Sequence, residues 1–292
     1  MTESTASSPF TVEQCRRFYA EEIRFVTGGC SEQLVHAFAR VPREQFLGAP
    51  PWRVPDGVML QPSRYRSLDD VRDLYHDVVV ALKEEQQLNS AQPSQMARMI
   101  TALHLAEGMR VLHVGSGSGY YSALMAEVVG PRGQVLAIEI DPELAKQAAV
   151  SLAGYSNVQV VNGDGADYGH GSVDAMLVNA GITHPHPDWL AGLSAAGVLV
   201  APFLVGPEEG MREALVLRLA RVGERFAAEP VTSLAIYPST SQRDPAVQAK
   251  FRAAIASRSI LVLKSARTDP HPETAACLVH TPGFCLSAEA VL

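Results

Sequence analysis

The chain has 292 residues, 47% hydrophobic and 19% charged, which excludes a disordered protein and describes a globular one able to bury roughly 75% of its unfolded surface. A formal net charge of −7, with no basic run, argues against a broad nucleic-acid surface, so no nucleic-acid partner is expected. The N-terminus lacks the basic and apolar regions of a signal peptide, and no apolar run approaches the ~20 residues that span a bilayer, so a cytoplasmic protein with no membrane partner is expected.

Residues 1–10 are Ser/Thr-rich and read as disordered. A helix follows from Thr11, with Thr11 and Gln14 as a capping box and a stripe of Val12, Cys15, Phe18, Tyr19, Ile23 and Val26. A second helix is expected over Ser31–Arg40. The stretch 41–87 is rich in Pro, Arg and Asp and reads mostly as loop, with a possible strand at Leu74–Leu82. After "NSAQPS", Pro93 sits in the first turn of a helix whose Met96, Met99, Ile100 and Leu103 share one buried face.

A regular alternation then begins. Strands are expected at Arg110–Val114, Gln134–Ile138, Val158–Val161, Ala175–Val178 and Val198–Ala201, with a helix at Pro142–Ala153 capped by Asp141 and Gly154. Strands and helices alternating at this spacing imply a parallel sheet covered on both faces. Glu213–Tyr237 breaks the pattern as a hairpin around Gly223, giving an antiparallel edge. Beyond Pro238 lie a loop, a helix at Pro245–Ser257, the apolar Ile260–Leu263 and a strand-like Cys277–His280. The four cysteines, Cys15, Cys30, Cys277 and Cys285, are scattered and form no CxxC pair, which argues against a disulfide framework or a zinc site. No metal is expected.

"VLHVGSGSGY" places Gly115, Gly117 and Gly119 between a strand and a helix, where backbone approaches a ligand at a helix N-terminus. Twenty residues beyond Gly119, Glu139 ends the next strand, where a carboxylate can accept from ribose hydroxyls. A dinucleotide fingerprint needs a small residue at its sixth position; here that position is Tyr120. The G-x-G-x-G form suits a nucleoside without a pyrophosphate. In "NGDG", Asp164 can bond an adenine amino group, or simply make a turn with Gly165. S-adenosylmethionine is therefore expected over NAD.

These residues together resemble the protein-L-isoaspartate O-methyltransferase family. "VPREQFL" (Val41–Leu47), "QPSQMARMITAL" (Gln92–Leu103), "VLHVGSGSGY", "IEIDPEL", "NVQVVNGDG", "MLVNAG" and "LSAAGVLVAPF" fall in the family's order, and the likeness runs roughly from Val12 to Tyr237. The resemblance implies an α/β, Rossmann-like class I methyltransferase fold. Its sheet would be seven-stranded and mostly parallel with an antiparallel edge, with N-terminal helices and a small C-terminal appendage. It implies a methyltransferase domain over 11–238, comprising a helical cap at 11–105 and the core at 106–238; the tail at 239–292 has no counterpart in the minimal family members and is read as an extension. It also implies methyl transfer from S-adenosylmethionine to a carboxylate, with S-adenosylhomocysteine as product. Gly115, Ser116, Gly117, Gly119, Tyr120, Glu139, Ile140, Asp164 and Gly165 match positions that hold the cofactor.

Three departures bear on the acceptor. The serine preceding Gln-Pro in the family is Ala91 here; Ser90, one residue earlier, either substitutes for it beside Gln92 or caps the helix. The acid within the family's strand is His113, read as a buried, satisfied histidine. The loop after the fourth strand reads "NAGITHPHPDW", with His184 and His186 read as loop residues and Asn179 as the better candidate at the strand end. Ser90, Gln92 and Asn179 are the catalytic candidates. No Ser/His/Asp constellation or paired-carboxylate site stands out, as expected for an acceptor ionised at neutral pH. Ala91, the altered loop and the tail favour a dedicated carboxylic acid, a small metabolite or peptide. Repair of isoaspartyl proteins, which requires an open groove, is the alternative; a non-catalytic S-adenosylmethionine-binding protein and a nicotinamide oxidoreductase are weaker ones.

Overall fold

A computed structural model of the chain describes residues 9–56, 64–86, 88–167, 171–206 and 212–291; most of the N-terminal segment read as disordered, residues 1–8, lies outside them. Two compact units are present, residues 1–97 and 98–292.

In the first unit, α1 (Val12–Val26) starts at the expected capping box, with Thr11 and Gln14 exchanging both hydrogen bonds. Its buried stripe is narrower than expected: Tyr19, Ala20 and Ile23 are buried, whereas Phe18 is 60% exposed. α2 (Glu32–Arg40) is capped by Ser31. Two small hairpins follow, β1 (Trp52–Pro55) with β2 (Tyr65–Leu68) and β3 (Ala81–Lys83) with β4 (Leu88–Asn89). Leu47, Trp52, Val54, Leu68, Leu74 and Val80 form a local core.

The strand expected at Leu74–Leu82 exists only at its end, in β3. The carbonyls of Leu74, His76 and Val78 accept instead from the fully buried Arg43 guanidinium, at 2.7, 3.1 and 2.6 Å, so they are not offered to a neighbouring strand. The α3 helix (Pro93–Ala102) then carries the chain into the second unit, and Met96, Met99, Ile100 and Leu103 are all buried.

The second unit is one sheet with helices. β5 (Arg110–Val114), β6 (Gln134–Glu139), β7 (Val158–Asn162), β8 (Val173–Val178) and β9 (Leu193–Leu204) are parallel. α4 (Tyr120–Val129), α5 (Pro142–Ser151) and α6 (Pro187–Ala191) lie between them in the chain. Asp141 caps α5 as expected, but the helix closes at Leu152, whose N–H reaches Ala148 and Val150. Gly154 lies beyond in a turn of ordinary φ and is not the cap.

β10 (Glu213–Val222) and β11 (Arg225–Ala235) form the antiparallel hairpin around Gly223. Thr232 faces Val216 while Pro230 faces Leu217, which leaves Val231 in a bulge. These seven strands are the expected ones. The tail adds α7 (Pro245–Ala256) and three more strands, β12 (Ser265–Arg267), β13 (Cys277–Thr281) and β14 (Phe284–Ser287), giving the order β13-β14-β12-β11-β10-β9-β8-β5-β6-β7. The extension therefore continues the sheet. Phe251 and Phe284 pack on Phe203 of β9, with ring centroids 5.2 and 5.9 Å away. Among the described residues no helix is long and apolar enough to cross a membrane.

Candidate active site

The glycine loop leaves β5 and enters α4 with Gly115, Gly117 and Gly119 at φ 75, 55 and 93°, conformations that side chains rarely adopt. Tight packing adds to this at two of the three. A Cβ at Gly115 would sit 3.1 Å from the Asn179 carbonyl oxygen, and one at Gly119 would sit 2.8 Å from Leu152 Cδ1. Gly115 and Ser116 both donate to the Ile138 carbonyl, pinning the loop to the end of β6.

Glu139 holds the middle of the loop. One carboxylate oxygen accepts from Gly117 N–H at 2.7 Å and the other from Asp141 N–H at 2.9 Å. Burial pushes its pKa above the usual carboxylate range, against the lowering effect of those two donors. Each oxygen keeps a second lone-pair direction for a hydroxyl donor. Ser116 Oγ is buried and, among the described residues, has no hydrogen-bond partner. An orphaned hydroxyl beside a backbone with no room for side chains is what a polar ligand would complete.

Asp164 follows β7. Its carboxylate accepts from Ala166 N–H at 3.0 Å and from Ser241 Oγ at 3.1 Å. Gly165 is buried against Val114, and its carbonyl accepts from the Trp189 indole at 2.8 Å. Ile140 is 49% exposed, beside the carboxylate, and Tyr120 is buried in the first turn of α4. Asn179 donates its backbone N–H to Val114 at 2.8 Å and lies with its Nδ2 3.4 Å from the Gly115 carbonyl. The nine expected cofactor positions and Asn179 thus gather at the C-terminal ends of β5 to β8, where open parallel sheets bind ligands.

Ser241, 77 positions from Asp164, carries no sequence signal. The segment bearing it is tied to the loop after β8 by three backbone bonds: Gly181 to the Tyr237 carbonyl, Ser239 to the Gly181 carbonyl, and Thr183 to the Gln242 carbonyl.

His113 is fully buried, and Nδ1 lies 2.8 Å from Ser122 Oγ, but Nε2 has no partner among the described residues, so the ring is only half satisfied there. Burial holds its pKa at about 3. His184 lies beside Thr183 Oγ1 at 3.0 Å, its pKa lowered by burial. His186 Nδ1 accepts from Asp188 N–H and caps α6.

In the first unit, Ser90 Oγ accepts from Val80 N–H at 3.1 Å and from Arg43 at 3.4 Å. It is not the cap of α3. Asp77 fills that place, accepting from Ser94 N–H at 2.7 Å and from the Gln92 carboxamide at 2.8 Å. Ala91 takes a left-handed φ of 57°.

The family model described as protein-L-isoaspartate(D-aspartate) O-methyltransferase matches residues 57–231. The chain belongs to this family. A protein-L-isoaspartate O-methyltransferase of Ignicoccus hospitalis is 31% identical over 212 residues, 71% of this chain and 88% of that one. One from Archaeoglobus fulgidus is 36% identical over 156 residues, 53% of this chain and 62% of the relative. Among solved structures, a protein-L-isoaspartate O-methyltransferase aligns over 93% of this chain and 88% of its own, with TM-score 0.65 and 20% identity. A Plasmodium falciparum structure described as a putative member in complex with S-adenosylhomocysteine aligns over 77% and 98%, with TM-score 0.58 and 15% identity. These two show the same fold. The protein is thus an S-adenosylmethionine-dependent carboxyl O-methyltransferase.

Proposed function

We propose that the protein methylates the free carboxylate of isoaspartyl residues in polypeptides, and that the cradle at Gly115–Gly119 holds its cofactor. The observation that carries the cofactor reading is the pairing of Glu139 with Gly117 N–H at the end of β6. Glu139 would accept from the ribose hydroxyls, Asp164 would face the adenine amino group, and Ser116 would spend its buried hydroxyl on the ligand. Gly119, Tyr120, Ile140 and Gly165 would shape the walls. Bound there, S-adenosylmethionine supplies an electrophilic methyl on a sulfonium.

The acceptor needs no base. A carboxylate has a pKa near 4 and is anionic at neutral pH, so the protein's task is to orient an oxygen already charged and to replace its water with fixed donors. Ser90, Gln92 and Asn179 are the residues we assign to that task. The Gln92 carboxamide spends one N–H on Asp77 and keeps its second N–H as the donor.

A second reading is methylation of one dedicated acid or peptide. Two observations favour it: Ala91 stands where the family has a hydroxyl, and Ser241 of the extension bonds Asp164. One experiment separates the readings. The protein is incubated with methyl-labelled S-adenosylmethionine and matched peptides containing isoaspartate or aspartate, beside small dicarboxylic acids. Base-labile label on the isoaspartyl peptide alone is the expected result. Label on the aspartyl peptide or a small acid, with none on isoaspartate, replaces the first reading by the second.

A further inference from the structure

The sheet's far edge carries a cluster that the methyl transfer does not use. His271, Cys277, His280 and Cys285 each offer one ligand atom, and these four atoms lie within 4.8 Å of one another. No CxxC pair announces them; the fold assembles them from a loop and two strands. His280 faces Cys285 directly across the β13–β14 pair. In a regular strand Cys277 and His280, three residues apart, would point to opposite faces. The register shift between Cys277 and Val279 corrects this, as a bulge that re-aims a side chain does. The loop between β12 and β13 then brings His271 Nε2 to 3.8 Å from Cys277 Sγ.

We propose that these four residues bind one zinc ion in a closed, structural Cys2His2 site. Zinc–sulfur bonds of about 2.3 Å and zinc–nitrogen bonds of about 2.0 Å place tetrahedral ligands roughly 3.3–3.8 Å apart, so the cluster needs to contract by only about 1 Å. The surroundings suit a metal. His271 Nδ1 lies 2.8 Å from the Asp269 carbonyl; donating there leaves Nε2 as the lone pair, the orienting bond that ligating histidines make. Thr274 directs its backbone N–H to Cys277 Sγ at 3.3 Å, a donor to a thiolate. His280 Nδ1 is buried without a hydrogen-bond partner among the described residues. Two thiolates balance the charge of the dication. Four protein ligands leave no open position, so the ion would tie the loop after β12 to β13 and β14 and take no part in transfer.

The test uses the full chain, purified without chelator or added metal and kept reduced. Elemental analysis is expected to give about one zinc per chain, falling to trace levels in Cys277→Ser and Cys285→Ser. The cobalt-substituted protein should show thiolate charge-transfer and tetrahedral bands, and His271→Ala should weaken zinc affinity about tenfold or more. Chelation should lower the melting temperature of the parent and leave that of Cys285→Ser unchanged. A reduced chain, folded by circular dichroism, that takes up neither zinc nor cobalt overturns the proposal, including where Cys277 and Cys285 are first found joined as a disulfide.

Discussion

His113 sits in β5, the middle one of the five parallel strands, with one ring nitrogen on Ser122 and the other unpartnered among the described residues. The unfolded chain protonates this histidine near pH 6.5, whereas burial holds the folded ring neutral down to about 3. In that window the unfolded state binds more protons, so stability falls as pH drops, by up to about 1.4 kcal/mol per unit from this residue. Urea midpoints of the parent and His113→Leu, compared from pH 7 to pH 5, should diverge in slope, with the parent losing stability faster on acidification. Equal slopes would place the titration in other groups. The same residue shows what a pattern conveys: a histidine inside an apolar strand reads correctly as buried, but a missing partner at Nε2 depends on packing that no local pattern encodes.

The connection from Leu74 to Gln92 departs most from its expected form. "LYHDVVVAL" has the composition of a strand, and its three valines promise one, yet a distant Arg43 claims the carbonyls a strand would need. Such long-range capture by a buried guanidinium is invisible in a window of nine residues. By contrast, the strands β5 to β9 and the hairpin of β10 and β11 were legible because apolar runs bounded by glycine, proline and aspartate recur at a steady interval. Short β12 and β14, of three and four residues, carry too few positions to show a period. At the candidate site, the spacing of the glycine loop and Glu139 foretold their closeness, whereas Ser241 reaches Asp164 only through the tertiary fold. Ala91, held left-handed between Ser90 and Gln92, offers a test of this connection. Left-handed backbone costs a residue with a side chain roughly 1–2 kcal/mol, partly offset by glycine's freer unfolded chain. Ala91→Gly should therefore stabilise the protein by about 0.5–1 kcal/mol, measured by chemical denaturation. A destabilised variant would mean that surrounding contacts, rather than backbone freedom, set this φ.

At the scale of the molecule, the tail is part of the sheet's hydrophobic core. Phe251, Ile260, Val279, Phe284 and Leu286 are all at most 7% exposed, within the cluster that includes Phe203, Leu217 and Phe226. At about 1.5–3 kcal/mol for each buried side chain, these five contribute on the order of 10 kcal/mol, comparable to the whole stability of an ordinary domain. A chain ending at Pro238 is expected to lack cooperative unfolding and to accumulate as aggregate. A soluble truncated form with a sharp melting transition would show that the core closes without the tail.

Pro230 and the bulge at Val231 have a consequence for how a polypeptide meets this surface. β12 pairs with Phe226 and Ala227 of β11, and Ala228 N–H reaches the Lys264 carbonyl; among the described residues no strand pairs with the rest of that edge. A proline lacks the amide hydrogen, a bulge breaks the spacing, and Glu229 adds a charge; together they deny an incoming chain the regular row of partners it would need to lie alongside. Recognition by strand addition is closed at that margin. On the proposed reading, an acceptor polypeptide would be gripped elsewhere, through its side chains and its one reactive carboxylate.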